Sequence, residues 1–247
     1  MSVWCEYKTI VDTRDVDSRS HCRPSALLGY LQEAATQAAE SRGFGREVLM
    51  RKHGAFWMLA RMWYRLERPL RWGEELTIHT WHRGGKGASM YRDFDLFVDG
   101  EFVGEAVSVW VLVRLEDRKM LRLAQIPELD GTEGGERCKD RLLAKLRLPE
   151  AMELAERRLM HYSDTDINGH VNNTRYADFA CDAIRADRLA EDVFVSGMQL
   201  GYSAECRPGE VISMLAAREG ETAFVHGIDE TGKSRFDAQV FLGQDIP

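Results

Sequence analysis

The sequence lacks the features that mark membrane, secreted and nucleic-acid-binding proteins. No run of apolar residues approaches the roughly 18 that a bilayer crossing needs, and the first residues have no charged region followed by an apolar one, as a signal peptide would. Lys and Arg number 33 against 40 Asp and Glu, and the net charge of -7 argues against general nucleic-acid binding. We therefore expect a cytoplasmic protein with no membrane span and no nucleic acid as partner.

Cysteine is scarce and its spacing is irregular. The five cysteines are odd in number and form no Cys-x-x-Cys pair, which favours reduced thiols over a disulfide framework or a zinc site. His79 and His82 come closest to a ligand pair, but they lie in a β-patterned run without obvious third and fourth ligands. We expect neither a metal nor another cofactor.

An internal repeat organises the 247 residues, which could form one large or two ordinary domains. Asp15–His21 matches Asp164–His170 at an offset of 149, and Arg71–Glu74 matches Arg207–Glu210 at an offset of 136. The first copy therefore carries thirteen additional residues between the two matches, in an insertion that includes Phe44–His53. The chain is expected to hold two related halves.

Each half shows the pattern of one helix followed by several strands. Pro24 is suited to the first turn of a helix, and the residues after it place six apolar side chains at helical spacing: Leu27, Leu28, Leu31, Ala34, Ala35 and Ala38. The predicted strands of the first half are Trp57–Glu67, Glu75–Trp81, Ser89–Val98 and Glu105–Leu115. The second half is predicted as a helix over Asn173–Leu189 and strands over Val193–Ser203, Val211–Arg218, Thr222–Asp229 and Ser234–Leu242. The pattern predicts an α+β fold in two parts, with a linker near Pro127–Pro149.

A dense polar cluster precedes the second predicted helix. Asp166, Asn168 and His170 alternate, so an extended loop would direct a carboxylate, an amide and an imidazole to one side. Asn172 or Asn173 could cap the helix, and the free N–H groups at its start would favour a developing oxyanion. The combination of side chains predicts a catalytic site.

A second polar cluster stands at the end of a strand-like run. Glu205 and Cys206 lie there, before a Pro-Gly turn. At the matching positions the first half has Arg19 in place of Asn168 and Pro69 in place of Glu205. We therefore expect the first half to have lost the chemistry.

These two clusters, in this order, resemble the acyl-acyl carrier protein (acyl-ACP) thioesterases of the bacterial type. The shared motifs are Asp-x-Asn-x-His-Val-Asn-Asn at 166–173 and Glu-Cys at 205–206, and the resemblance continues through Pro24–Ala35 and Arg71–Glu74. It implies two tandem hotdog domains, each a long helix packed on an antiparallel sheet. Residues 1–128 would form a non-catalytic domain with the acyl-chain pocket, 129–150 a linker, and 151–247 the catalytic domain.

The resemblance also implies the site and the reaction. It assigns catalytic roles to Asp166, Asn168, His170 and Glu205, and makes Cys206 an auxiliary candidate. We expect the backbone N–H of Asn173 to help bind the oxyanion during thioester hydrolysis. The sequence leaves open whether Glu205 activates water or Asp166 attacks the carbonyl, because both routes need a carboxylate beside it.

The implied function is hydrolysis of fatty acyl-ACP thioesters to free fatty acid and carrier protein, which ends chain elongation in fatty acid biosynthesis. The alternatives are a hotdog acyl-CoA thioesterase, a hydroxyacyl dehydratase and a non-enzymatic acyl-thioester sensor. The expected partner is acyl carrier protein with its phosphopantetheine arm, and a homodimer is left open. Because both partners would be acidic, a local cluster of positive charge is expected to dock the carrier, with candidates at Arg61, Arg65, Arg68 and Arg71.

Overall fold

The chain forms one large antiparallel sheet with its main helices packed on one face. In the computed structural model, residues 5–129 and 142–245 are described. The strands are β1 Cys5–Ile10, β2 Ala55–Leu66, β3 Glu75–Lys86, β4 Ser89–Val98, β5 Glu101–Arg114, β6 Met120–Leu121, β7 Glu153–Leu159, β8 Val193–Tyr202, β9 Val211–Glu219, β10 Thr222–Ile228 and β11 Ser234–Gln244. The helices are α1 Pro24–Ser41, α2 Arg46–His53 and α3 Arg175–Ala183. None of these helices has both the length and the apolar character needed to cross a bilayer.

The order of strands displays the internal repeat. Ten strands run β1-β3-β4-β5-β2-β8-β11-β10-β9-β7, and the short β6 pairs with β5. When these ten strands are counted outward from the centre of the sheet, each strand of the first half therefore has a counterpart in the second half. The two predicted copies are thus two half-sheets joined edge to edge.

The junction between the copies is the pairing of β2 with β8. Five residues of each strand face one another, from Arg61 opposite Gly201 to Arg65 opposite Gly197. A Cβ atom at Gly197 would lie 2.8 Å from the carbonyl oxygen of Tyr64, so glycine permits this close approach. The continuous ladder accompanies a contact between the second copy's loop at Asp166–His170 and α2 of the first copy, where Arg46 bonds to Asn168.

The core lies between the helices and the sheet, and α1 buries the face that the sequence predicts. Its buried residues are Leu27, Leu28, Leu31, Ala34, Ala35 and Ala38. The second copy contributes Tyr176, Phe179 and Phe236 to the same core cluster. Packing of this amphipathic face, more than intrinsic helix propensity, stabilises α1.

The second helix is shorter than its predicted range of Asn173–Leu189. It begins at Arg175 and ends at Ala183, because Arg185 adopts a left-handed backbone conformation with φ of 57°. The Arg185 side chain donates two hydrogen bonds to Asp187, at 2.9 and 2.8 Å, and a short 3-10 turn follows at Ala186–Arg188. The predicted helix is correct in place and wrong in length.

Four elements, β1, β6, β7 and α2, have no counterpart in the sequence prediction. β1 and β7 are the two edges of the sheet, and α2 is a short helix within the inserted segment. β7 has the sequence ELAERRL, in which four of the seven side chains are charged, a composition that protects an open edge but hides the hydrophobic alternation. In α2 only Leu49 is buried, too little to reveal a helical period.

The described part of the predicted linker crosses the face of the sheet opposite the helices. Leu143 packs with Trp63, Val107 and Val109. The side-chain amide of Gln199 donates a hydrogen bond of 2.9 Å to the carbonyl of Ala144. The predicted linker residues 130–141 lie outside the described residues.

Candidate active site

The loop before α3 is a closed turn, so the extended conformation considered for it from the sequence is not found. The N–H of Asp166 donates to the carbonyl of His170 at 2.8 Å, and the N–H of Gly169 donates to the carbonyl of Asp166 at 3.0 Å. Gly169 takes a φ of 73°, a conformation that glycine adopts without strain. The turn nevertheless brings Asp166, Asn168 and His170 to the edge of one cavity.

The carboxylate of Asp166 holds this turn together. Its Oδ1 accepts the backbone N–H of Asn168 at 2.8 Å and that of His170 at 3.4 Å, while its Oδ2 accepts the side-chain amide of Asn168 at 3.2 Å. Asp166 therefore positions the other two polar residues of the loop.

His170 and Glu205 form a close pair of titratable side chains at the cavity. His170 Nε2 lies 3.2 Å from Glu205 Oε2, with the imidazole mostly buried and the carboxylate partly exposed. Glu205 follows β8, where Arg235 donates to its carbonyl oxygen and the N–H of Val171 donates to the carbonyl of Cys206 at 2.8 Å. These bonds hold the two polar clusters of the sequence against each other.

Two arginines of the first copy reach this site, and sequence reasoning missed both. Arg46 Nη2 donates to Asn168 Oδ1 at 3.1 Å. Arg118 Nη1 lies 4.0 Å from Glu205 Oε1, and its guanidinium lies 5.4 Å from the ring centre of Phe56. Neither belongs to a local motif, although the inserted segment that contains Arg46 was visible from the repeat.

The backbone around Asn173 lies at the cavity just before α3. Its carbonyl accepts the hydroxyl of Tyr202 at 3.1 Å, and burial holds the pKa of that phenol above its ordinary value, so the group stays protonated. Among the described residues, none accepts a hydrogen bond from the N–H of Asn173. The expected cap is only partly found: Asn172 Oδ1 accepts the N–H of Thr174 at 3.0 Å, one residue before the helix.

Cys206 is not placed as a nucleophile would be. Its side chain is fully buried and does not line the cavity, and burial raises the pKa of the thiol. A buried neutral thiol is a poor nucleophile, so the auxiliary role suggested for Cys206 finds no support in its surroundings.

A cavity of about 840 Å³ opens beside these residues. Asp166, Asn168, His170, Asn173 and Glu205 line one part of it. The remaining wall comes largely from the first copy and includes Ala35, Ala38, Met58, Met90 and Trp110. Ala35 and Ala38 thus face the cavity and not the sheet alone. The volume is within the range of small-molecule sites.

The matching loop of the first copy has the same backbone, but its histidine, His21, does not line the cavity. Asp17 Oδ1 accepts the N–H groups of Arg19 and His21 at 2.8 and 3.0 Å. His21 Nε2 lies 3.3 Å from Asp245, which also accepts two hydrogen bonds from Arg71. The histidine therefore lies among charged side chains.

The arginines proposed to dock the carrier protein differ in their surroundings. Arg68 pairs with Glu74 at 2.8 Å, and Arg71 pairs with Asp245 at 2.8 Å. The charges of Arg68 and Arg71 are locally compensated, whereas the exposed Arg65 forms no ion pair with any residue that the structure describes. Arg68 and Arg71 are therefore poor candidates for binding an acidic partner.

Within residues 5–129 and 142–245, no three His, Cys, Asp or Glu side chains form a group that could hold a metal ion. His79 Nε2 instead lies 3.2 Å from Glu6 Oε2 on the neighbouring strand. His79 therefore pairs with a carboxylate of the adjacent strand.

The fold is shared with solved structures. An acyl-ACP thioesterase from Bacteroides thetaiotaomicron superposes with a TM-score of 0.86 at 23% identity, covering 98% of both chains. The 12:0-ACP thioesterase from Umbellularia californica superposes with a TM-score of 0.80 at 21% identity, covering 99% of this chain and 98% of that one. The fold class is therefore the double hotdog, and the α+β prediction is confirmed.

Sequence comparison identifies the family. The model of the acyl-ACP thioesterase N-terminal domain matches residues 5–127, and that of the C-terminal domain matches residues 150–241. The chain belongs to the acyl-ACP thioesterase family, so the predicted family and enzyme class, a thioester hydrolase, are confirmed.

Curated relatives agree with this family. Oleoyl-acyl carrier protein thioesterase 1 of Arabidopsis thaliana is 26% identical across 95% of this chain and 69% of that protein. Acyl-[acyl-carrier-protein] hydrolase FATB2 of Cuphea viscosissima is 28% identical across 77% of this chain. The match spans only 49% of the Cuphea protein, so this chain covers about half the length of that relative.

Proposed function

We propose that this protein hydrolyses the thioester between a fatty acyl group and the phosphopantetheine arm of acyl carrier protein, ending chain elongation in fatty acid biosynthesis. The observation that carries the proposal is the His170–Glu205 pair, 3.2 Å apart at the edge of an 840 Å³ cavity. Such a pair can activate water beside a bound acyl group. The named activities of the relatives support the same substrate class.

In the proposed reaction, Glu205 accepts a proton from water as the water oxygen attacks the thioester carbon. The negative charge that develops on the carbonyl oxygen is bound by the free N–H of Asn173 near the start of α3. Collapse of the tetrahedral intermediate breaks the carbon–sulfur bond, and the proton passes through His170 to the leaving thiolate. The products are a free fatty acid and the carrier's thiol.

Asp166 is proposed to orient this network and not to attack the substrate. Its carboxylate oxygens already accept three hydrogen bonds within the loop. Asp17 makes two equivalent backbone bonds in the copy that lacks the amide and the carboxylate. The role that the two aspartates share is to hold the turn.

The acyl chain is proposed to lie in the part of the cavity formed by the first copy. Ala35, Ala38 and Met58 offer apolar surface there, and small side chains leave room beside α1. We accordingly propose residues 1–128 as the substrate-holding domain, 129–150 as the linker and 151–247 as the catalytic domain. A cytoplasmic location and a homodimer remain parts of the proposal.

The deciding experiment is a hydrolysis panel of acyl carrier protein thioesters from short to long chains, with the matching acyl-CoA esters alongside. Release of free fatty acid with higher kcat/KM for the carrier-bound series supports the proposal. Preference for CoA esters would make this an acyl-CoA thioesterase, and an enoyl product would indicate a dehydratase. Tight binding without turnover by a folded protein would indicate a sensor.

A further inference from the structure

The side-chain amide of Asn168 lies between two ions of opposite charge that come from different copies. Arg46 Nη2 is 3.1 Å from its oxygen, and Asp166 Oδ2 is 3.2 Å from its nitrogen. An arginine can only donate hydrogen bonds and a carboxylate can only accept them. The two neighbours therefore determine which way the amide points, with its oxygen toward Arg46 and its nitrogen toward Asp166.

Arg46 is held on a well-anchored element. It opens α2 directly after Gly45, and the preceding turn is secured by the N–H of Phe44, which donates to the carbonyl of Ala39 at 2.8 Å. The indole of Trp57 donates to the carbonyl of Phe44 at 2.9 Å. The guanidinium thus approaches Asn168 from a rigid support, as a positioning group requires.

The charge of Arg46 is not committed to a carboxylate. Within the described ranges 5–129 and 142–245, its side chain bonds to Asn168 and forms no ion pair. Arg68 and Arg71, by contrast, pair with the carboxylates of Glu74 and Asp245. The contact with a neutral amide of the catalytic loop is therefore the main polar interaction of this guanidinium.

We infer that Arg46 is a positioning residue that orients and polarises the Asn168 amide for the reaction. This inference rests on the proposed function, in which Asn168 helps to position water or substrate. With the oxygen occupied by Arg46 and one Nδ2 hydrogen by Asp166, the second Nδ2 hydrogen is left to bind a substrate or water oxygen. Donation by a cation to the amide oxygen strengthens that donor, because linked hydrogen bonds polarise one another. The insertion of the first copy thus completes a site whose other polar groups come mainly from the second.

The test compares Arg46→Ala with Arg51→Ala. Arg51 is an exposed residue of the same helix and makes no polar contact with any of the residues that the structure describes. Arg46→Ala should lower kcat by roughly tenfold with little change in KM, whereas Arg51→Ala should match the wild type. Arg46→Lys, which keeps a charged donor, should recover part of the loss.

A double-mutant cycle separates positioning from carrier docking. If Arg46 acts through Asn168, the effect of Arg46→Ala on kcat disappears in an Asn168→Ala background. If Arg46→Ala instead changes KM as much in the Asn168→Ala background as in the wild type, and if salt alters this effect, then Arg46 docks the carrier and the inference is overturned.

A readout independent of turnover completes the design. In amide ¹H–¹⁵N spectra of the full chain, the side-chain signal of Asn168 is the one lost in Asn168→Ala. It should move in Arg46→Ala and stay in place in Arg51→Ala; an unmoved signal together with unchanged kcat would refute the inference. Absence of hydrolysis by the wild type would defeat the proposed function, while the spectrum would still decide whether Arg46 orients the amide.

Discussion

The loops Asp17–His21 and Asp166–His170 have the same backbone and different surroundings. In each, the aspartate N–H donates to the histidine carbonyl at 2.8 Å, and the aspartate side chain accepts backbone N–H groups. Ser20 takes a φ of 61° where Gly169 takes 73°. The turn is thus a scaffold that both copies retain, and its geometry alone does not make an active site.

The difference lies in what faces each histidine. His170 meets Glu205 at a cavity, whereas His21 meets Asp245, whose oxygens also accept two hydrogen bonds from Arg71. Arg19, at the position of Asn168, donates to the carbonyls of Ala190 and Val193. The loop of the first copy therefore makes a structural contact with the second copy.

The largest expected effect comes from removing the His170–Glu205 pair. His170→Ala and Glu205→Gln should each lower turnover by about 10²–10⁴-fold, the usual contribution of a positioned acid–base group, with the fold intact by circular dichroism. Steady-state kinetics on one acyl carrier protein thioester measures this. His21→Ala is the matched control and should retain most of the activity. Equal losses of turnover in His170→Ala and His21→Ala would contradict the difference between the two copies.

The thiol offers a second control for that experiment. Cys206→Ser should keep substantial activity, because Cys206 is buried away from the cavity. A loss of turnover as large as that of Glu205→Gln would instead indicate that the Cys206 thiol is the nucleophile.

Substitutions of the two matching aspartates test loop stability and catalysis separately. Asp166→Asn and Asp17→Asn remove equivalent charged acceptors, so each should lower the free energy of unfolding by about 1–2 kcal/mol. Only Asp166→Asn should also reduce turnover, by about 10²-fold, because Asn168 and His170 depend on it. Denaturant unfolding and kinetics on the same samples decide this, and an Asp17→Asn variant that was stable but inactive would contradict it.

The first copy's part in substrate binding can be tested at α1. Ala38→Leu should narrow the cavity and move preference toward shorter acyl chains, by about tenfold in relative kcat/KM, since a methylene in an apolar pocket changes selectivity by roughly this much. Ala34→Leu, at a core position on the same helix that does not line the cavity, is the comparison for general damage to packing. A uniform loss across all chain lengths would argue against an acyl pocket here.

The smallest expected effect is a pH dependence of stability at His21. Burial is the largest influence and lowers the pKa of this histidine; Arg71 and Arg19 also lower it, while Asp17 and Asp245 raise it. Because the unfolded chain then binds the proton more readily, stability should fall as the pH drops below about 6.5, the ordinary histidine value, until the lowered pKa is passed. His21→Gln should flatten this part of a plot of Tm against pH, and an unchanged slope would assign it to other groups.

Local pattern predicted much of the fold. The six apolar positions of α1 are the residues that it buries, and β4 spans Ser89–Val98 as predicted. The edge strands β1 and β7 escaped notice, because their exposed, charged side chains carry little hydrophobic signal. Prediction succeeded for elements that bury one face, because this burial gives their apolar residues a regular period. It failed for elements that have few residues to bury.

The sequence by itself determined the repeat, the two polar clusters and the positions at which the first copy departs from them. Only the tertiary structure decided that the loop Asp166–His170 is a closed turn, that Cys206 is buried, and that Asp245 contacts His21. Arg46 and Asn168 are 122 positions apart, and Arg71 and Asp245 are 174 apart. Such contacts arise from the pairing of β2 with β8, which brings the two copies together, and no local spacing of residues can encode them.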